Sequence, residues 1–269
     1  MTGASTGIGF DASRELAARG FQAFGTVRRQ EDAAALERAG ATPILLDVTD
    51  EASIRSGLER VSELLAGAPL LGLVNNAGVS CAGPVELLRL ADFRRVFEVN
   101  VLGVVAVTQA FLPLLKQAKG RIVNISSVSG CVAPPFAAPY AASKFALEAI
   151  SDCLRRELHP FGVDVVVIQP GNVDTPIWQK GAGQDISPAR NTVYEPVLTR
   201  LKAQLGSMQR HAMPPSRVSR AIVQALTDPH PPSRILVAKS GFRQRMLRWL
   251  PDRFLDRRIA KRVWRQTSA

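Results

Sequence analysis

Continuous apolar, β-branched runs alternate along the chain with longer segments of helical period. The runs "ILLDV" (44–48), "RIVNI" (121–125) and "VDVVVI" (163–168) show no regular alternation of apolar and polar positions. Strands of that kind are covered on both faces, as in a parallel sheet held between helix layers. Shorter strand signals lie at Phe21–Val27, in "PLLGLVNNAG" (69–78), where a turn stops the run, and in "RILVA" (234–238). Helical period runs through 29–40, stopped by Gly40, and through Asp50–Leu65, with Asp50 as N-cap. It returns over Phe93–Lys119 and over 137–162, closed by Pro160 and Gly162, and again over 193–209 and 215–228. This β–α alternation predicts an α/β protein with a doubly wound parallel sheet in one domain.

The pattern breaks in two places. From about 172 to 215 it becomes irregular, directly after the end of a predicted strand. A substrate lid belongs there, and Ile177, Trp178, Val193, Leu198, Leu201, Leu205 and Met208 offer it an apolar lining. The catalytic domain is therefore drawn over 1–240 and a basic extension over 241–269. In that extension Phe242, Met246, Trp249 and Leu250 precede Pro251, and Phe254, Leu255, Ile259 and Val263 follow it, with arginines between. A basic amphipathic helix of this kind lies on an anionic membrane surface, or packs on its own domain or a partner subunit; both readings stay open.

Composition narrows the classes. The 269 residues are 46% apolar and 21% charged, enough for a large core. No run of 18 apolar residues and no cleavable leader is seen, so a cytoplasmic protein without a spanning helix is expected. Cys81, Cys131 and Cys153 form no CxxC, and His159, His211 and His230 share no ligand spacing, so reduced thiols and no metal site are expected. The net charge is +11, but from Arg234 onward eleven Lys/Arg face only Asp252 and Asp256. The excess belongs mostly to the tail, and no nucleic-acid partner is expected.

Candidate chemistry begins at "MTGASTGIGF". Gly3, Gly7 and Gly9 form a G-x-x-x-G-x-G loop ahead of a helical pattern. Glycines let backbone N–H groups approach a pyrophosphate, and the helix points its positive end at the same charge. An NAD site usually has a carboxylate roughly 20 residues further on. Here Val27 is followed by Arg28 and Arg29. An arginine at that strand end suits a 2′-phosphate and favours NADP(H) over NAD(H); the alternative is a solvated basic pair. Asp47 closes the next strand, able to bond an adenine amine or to cap its own turn.

Tyr140 and Lys144 in "YAASKFAL" are four apart and share a helix face. A nearby ammonium and a positive nicotinamide ring would lower the phenol pKa, making Tyr140 a general acid/base. Thirteen residues upstream, Ser127 ends a predicted strand, where its hydroxyl can bond and polarise a substrate oxygen.

The stretches "TGASTGIG", "LDVTD", "NNAG", "FEVNVLG", "NISSVSG", "YAASK" and "PGNVDTP" occur in one order over residues 2–176. On these the chain resembles the short-chain dehydrogenase/reductase family, with a Rossmann-type fold. The resemblance implies that Ser127, Tyr140 and Lys144 act with Asn100, which helps hold a proton-relaying water. It further implies that Ser5 and Ile8 lie along the pyrophosphate and that Asn75–Gly78, with Ala77, line the adenosine ribose. Pro170 and Gly171 would lie beside the nicotinamide, with Val173 and Thr175 on its carboxamide. Hydride would pass between nicotinamide and a carbonyl or carbinol carbon, with Ser127 and Tyr140 also contacting substrate. A homodimer or homotetramer through the two long helices is implied as well.

The uncharged stretch "SGCVAPPFAAPY" and the apolar lid point to a lipophilic alcohol, ketone or aldehyde. "FGTVRR" and "PPSRILVAKS" look similar to the retinol- and steroid-dehydrogenase branch, though Ile235 replaces the usual tyrosine. The competing reading is a non-catalytic NADP-binding sensor or partner subunit of the same fold. In this family an apolar strand precedes the glycine loop at the centre of the sheet. Only Met1 and Thr2 stand there, so the expectation is a gap or stub at the sheet centre and a native start upstream of Met1.

Overall fold

The computed structural model describes residues 1–177, 187–239 and 250–264, without the side chains of 205–209. Six strands lie among the described residues: β1 Phe24–Val27, β2 Thr42–Leu45, β3 Gly72–Asn75, β4 Arg121–Ile125, β5 Asp164–Pro170 and β6 Arg234–Val237. The helices are α1 Gly7–Ala18, α2 Ala33–Arg38, α3 Glu51–Leu65, α4 Leu90–Phe97, α5 Gly103–Ala118, α6 Ala138–Leu158, α7 Glu195–Arg210, α8 Ser216–Thr227 and α9 Asp252–Trp264.

All strand pairs are parallel, in two pieces: β1–β2, and β3–β4–β5–β6. Residues Met1–Ala4 join the pieces. The Thr2 N–H donates to the Val74 carbonyl at 2.9 Å, the Thr26 N–H to Met1 at 2.9 Å, and the Ala4 N–H to Thr26 at 2.8 Å. This is the predicted stub. Beside it, at the amino ends of β1 and β3, the sheet opens into a cavity of about 320 Å³. Met1, Phe24, Ile44, Leu73, Val107 and Phe111 are among its lining residues.

The continuous apolar runs behave as their composition requires. Along β4 and β5, Ile122 and Val165 enter one core cluster with Val107, Phe111 and Leu115 of α5. Val123, Ile125, Val166 and Ile168 enter the other, with Val218 and Ile222 of α8. The strands are therefore buried on both faces. Asp50 caps α3, its carboxylate accepting from the Ala52 and Ser53 N–H groups at 2.8 and 3.3 Å. Predicted helix Phe93–Lys119 is three pieces: α4 and α5 are joined by a π-turn, Glu98–Leu102, that turns Asn100 fully inward. An 18-residue window within Leu90–Ala118 is long and apolar enough to span a membrane. Val96, Val104, Val107, Phe111 and Leu115 are instead buried in the fold.

The lid only partly follows its predicted lining. Val197 and Leu198 are buried, whereas Val193 is 71% exposed. Trp178, and the side chains of Leu205 and Met208, lie outside the described residues, as do Phe242, Met246 and Trp249 of the tail. In α9, Leu255, Ile259 and Val263, four apart, are half-buried. The Arg200 guanidinium of α7 donates to the Val263 carbonyl. Phe254 is exposed, with Arg258 over its ring at 5.4 Å.

Candidate active site

The glycine loop is shaped by close approach. Gly3 and Gly7 have φ of 64° and 60°, the left-handed region that favours glycine. A Cβ on Gly9 would stand 2.3 Å from the Gly3 carbonyl oxygen and 2.5 Å from Asn76 Nδ2. The loop is fastened to "NNAG" from both sides. Asn76 Nδ2 donates to the carbonyls of Thr2 and Gly3 at 2.9 and 3.0 Å, and Thr2 Oγ1 accepts from the Asn76 and Ala77 N–H groups. The first turn of α1 then opens toward a pocket of about 130 Å³.

Of the expected cofactor residues, Gly7, Ile8, Gly78, Pro170, Gly171, Val173 and Thr175 line this pocket, beside Ser127, Tyr140 and Lys144. Gly3, Ser5, Gly9, Ala77 and Asn100 do not line it; Gly3, Gly9 and Ala77 form the cradle behind it. Arg28 stands exposed just after β1 and makes no ion pair among the described residues. Its neighbour Arg29 is taken up by Glu31 and Asp32 at 2.9 and 3.4 Å. Of the two readings for Asp47, the structure displays the turn cap: its Oδ1 accepts from Thr49 N and Oγ1 at 2.9 and 2.8 Å. The Asn75 side chain faces the core, not the pocket. Its Nδ2 donates to Asn124 Oδ1 and Thr108 Oγ1 at 2.9 and 3.0 Å, tying β3 to β4 and α5.

At the carboxyl end of β4, the Ser127 hydroxyl accepts from the Ser129 N–H at 3.1 Å and is hydrogen-bonded to Tyr140. Lys144, one turn along α6, is buried, and its Nζ donates to the Ile125 carbonyl at 2.8 Å. Burial pulls this ammonium down to about 8, and the charge of Glu148 acts in the opposite sense. Asn100 clamps Val79 through both backbone groups, at 2.8 and 2.9 Å, and donates to Ser143 Oγ at 3.0 Å. Ser143 in turn donates to the Tyr140 carbonyl at 2.7 Å, so Asn100 steadies the first turn of α6. A Cβ on Gly78 would meet Asn100 Oδ1 at 3.4 Å and Lys144 Nζ at 3.9 Å, so the two groups border one small space.

In the protein alone, the Tyr140 phenol pKa is raised, because removal from water disfavours phenolate by more than the Ser127 hydrogen bond returns; the expected lowering called for a nicotinamide ring as well as Lys144. Lys144 Nζ lies 5.7 Å from the Tyr140 ring centroid.

The donor set fits a nicotinamide dinucleotide. A glycine cradle at a helix start faces the pocket, an exposed arginine ends β1, and Ser126 Oγ on the pocket wall is buried with no hydrogen-bond partner among the described residues. The family model described as "short chain dehydrogenase" matches residues 1–185.

The chain belongs to the short-chain dehydrogenase family.

As a short-chain dehydrogenase it is an oxidoreductase of alcohol and carbonyl groups. It is 34% identical to an NADPH-dependent 3-dehydrocapnine reductase of Ornithobacterium rhinotracheale, over all of this chain and 98% of that one. It is 36% identical to retinol dehydrogenase 5 of Mus musculus, over 98% of this chain and 86% of that one. A short-chain dehydrogenase structure from Streptomyces avermitilis superposes with a TM-score of 0.78 at 30% identity, covering 99% of this chain and 96% of that chain.

Within the expected Asn75–Gly78 stretch, Asn76, not Asn75, faces the loop, and only the phase of alternation at the end of β3 separates the two. Three contributors were missed by sequence reading: Ser143, Glu148 and Gln169 support the site from below. Gln169 Nε2 donates to Glu148 Oε1 at 3.0 Å, and Arg234 Nε to Glu148 Oε2 at 2.9 Å. A polar residue every fourth position along α6 (140, 144, 148, 152) was the available signal.

Proposed function

We propose that this short-chain dehydrogenase uses NADP(H) to interconvert a lipophilic alcohol with its ketone or aldehyde. The observation that carries this reading is the convergence of Ser127, Tyr140 and Lys144 at one strand end. When bound, the dinucleotide supplies or accepts the hydride. Ser127 positions the substrate oxygen, its lone pair committed to the Ser129 N–H, and its proton, which points to Tyr140 in the protein alone, would turn to that oxygen. Tyr140 gives a proton to that oxygen in reduction and takes it back in oxidation. Its raised pKa means the site holds the neutral phenol, ready as an acid, until a further positive charge enters. Lys144 holds the ribose and favours phenolate, while Asn100 fixes Tyr140 through Ser143 and borders the space below Lys144.

Arg28 supports NADP(H) over NAD(H). It is the unengaged cation at the end of β1, and no carboxylate replaces it there. The apolar stretch between Ser127 and Tyr140, with Pro176 and Ile177 on the pocket wall, supports an apolar substrate. We take the enzyme to be cytoplasmic and homo-oligomeric, with Leu102 and Phe145 (53% and 44% exposed) at the faces of the two long helices. The basic tail is its candidate contact with membrane. The test is nicotinamide absorbance against a panel of lipophilic ketones, aldehydes and alcohols with each dinucleotide. Turnover with NADPH preferred is expected; no turnover of any member, with dinucleotide still bound, would sink the reading.

A further inference from the structure

Behind Lys144 the protein buries a second charged cluster that the chemistry above does not use. Glu148 stands one turn further along α6 and is 8% exposed. Taking a carboxylate out of water is costly unless it is paired and hydrogen-bonded. Both of its oxygens are held: Gln169 Nε2 donates to Oε1 at 3.0 Å, and Arg234 Nε to Oε2 at 2.9 Å.

Those partners come from β5 and β6, so two strands fix one carboxylate on α6. Gln169 precedes Pro170 and Gly171 of the pocket wall. Its amide also donates to Cys131 Sγ at 3.2 Å, at the end of the turn that follows Ser127. That turn presses on α6 at the same place. A Cβ on Gly130 would stand 3.1 Å from the Lys144 carbonyl oxygen and 3.2 Å from Glu148 Cγ. The segments carrying Ser127, Lys144 and the nicotinamide wall therefore meet around Glu148.

The neighbouring charges do not cancel it. Arg234 is shared, its Nη2 donating to Asp152 Oδ1 at 2.8 Å. Arg155 pairs with Asp152 at 2.7 Å, on the side of the cluster away from Lys144. Around Lys144 itself stand the Tyr140 ring at 5.7 Å, the uncharged Asn100 and the Ile125 carbonyl. The charge acting on Lys144 is that of Glu148, and it works against the desolvation that pulls the ammonium down.

We propose that Glu148 is a positioning residue for the reaction proposed above: clamped by Gln169 and Arg234, it is the fixed anion that keeps Lys144 cationic and so sets the alkaline limit of the site. The proposal deepens that reading and rests on it only for its kinetic arm.

The test uses the full chain and follows two quantities against pH. The first needs no substrate. Denaturant midpoints of the dinucleotide-free protein rise with pH from the point where folded Lys144 loses its proton, about 8. Glu148→Gln keeps the shape and removes the charge, and should start that rise about one pH unit lower. Arg234→Gln removes the cation opposing Glu148 and should start it higher, by a smaller step. In a Lys144→Met background neither substitution should move the profile, because the group that reads the charge is gone. The second quantity is kcat/KM for NADPH with the ketone turned over best in the panel above; its alkaline decline should shift in the same two directions. An onset that Glu148→Gln leaves in place overturns the proposal. So does an equal shift in the Lys144→Met background, or a loss of activity uniform across pH with no shift, which marks a purely structural role. If Glu148→Gln does not fold, an Arg234→Gln onset that fails to rise overturns it. If no ketone is turned over, the proposed function has failed, and the denaturant onset still decides the role of Glu148.

Discussion

The two ends of the sheet differ sharply. At the carboxyl end, Asn76 holds the glycine loop, Lys144 holds the Ile125 carbonyl and Asn100 holds the Val79 backbone, each at hydrogen-bond distance, and an added Cβ at Gly9 would collide. At the amino end of the same strands, β1 and β3 part around an apolar cavity of about 320 Å³. Chemistry needs positions held to fractions of an ångström, whereas loose apolar packing lowers stability without displacing a proton. The two ends of one sheet thus differ in how closely their side chains are held. Met1–Ala4 serve both ends: they bridge the pieces and deliver the glycine loop.

Five experiments test that separation. The largest effect is expected for Tyr140→Phe: a loss of about 10³-fold in kcat, with NADPH affinity within about threefold and the melting temperature unchanged. Retained turnover would dissolve the carboxyl-end assignment.

Next is Lys144→Met, read through stability against pH. In the folded protein the ammonium sits at about 8, against 10.5 when exposed. Between these values the unfolded chain binds more protons, so stability rises with pH from about 8 toward 10.5. It is lost again as pH falls through 8. The rise is worth about 3 kcal/mol at most, with Tyr140, held protonated when folded, opposing it above pH 10. Denaturant midpoints across this window should lose the rise in Lys144→Met.

Third, Gly9→Ala should cost about 1–3 kcal/mol and weaken dinucleotide binding, since its Cβ has backbone in its way. Titration calorimetry with NADPH checks the binding, and thermal melts check the stability. Fourth, Arg28→Glu should lower NADPH affinity relative to NADH by about tenfold while kcat with saturating NADH holds. An unaltered ratio would return Arg28 to the solvated-pair reading. The smallest effect belongs to the amino end. A benzene-sized apolar probe should bind the cavity and add about 0.4 kcal/mol at a concentration equal to its Kd, without changing KM for NADPH. Competition with the dinucleotide would show that the two ends are not separate.

Much of the fold and part of the site were legible in the chain. Strands such as 163–168 and helices such as 50–65 follow from local period and capping, which neighbouring residues decide. The four-residue spacing of Tyr140 and Lys144 on a helix, with Ser127 at a strand end, is similarly local.

What the sequence determined by itself, then, is the order of elements and which residue types stand at strand ends and on helix faces. Only tertiary structure decided which of Asn75 and Asn76 meets the glycine loop, because a side chain's facing depends on where the strand ends. It also decided the sense of the Tyr140 shift, because desolvation is set by everything packed around the phenol. It alone brought Trp264 to Tyr194 and Tyr194 to Phe136: residues 70 and 58 positions apart share no local pattern, and only the folded chain places their rings in contact.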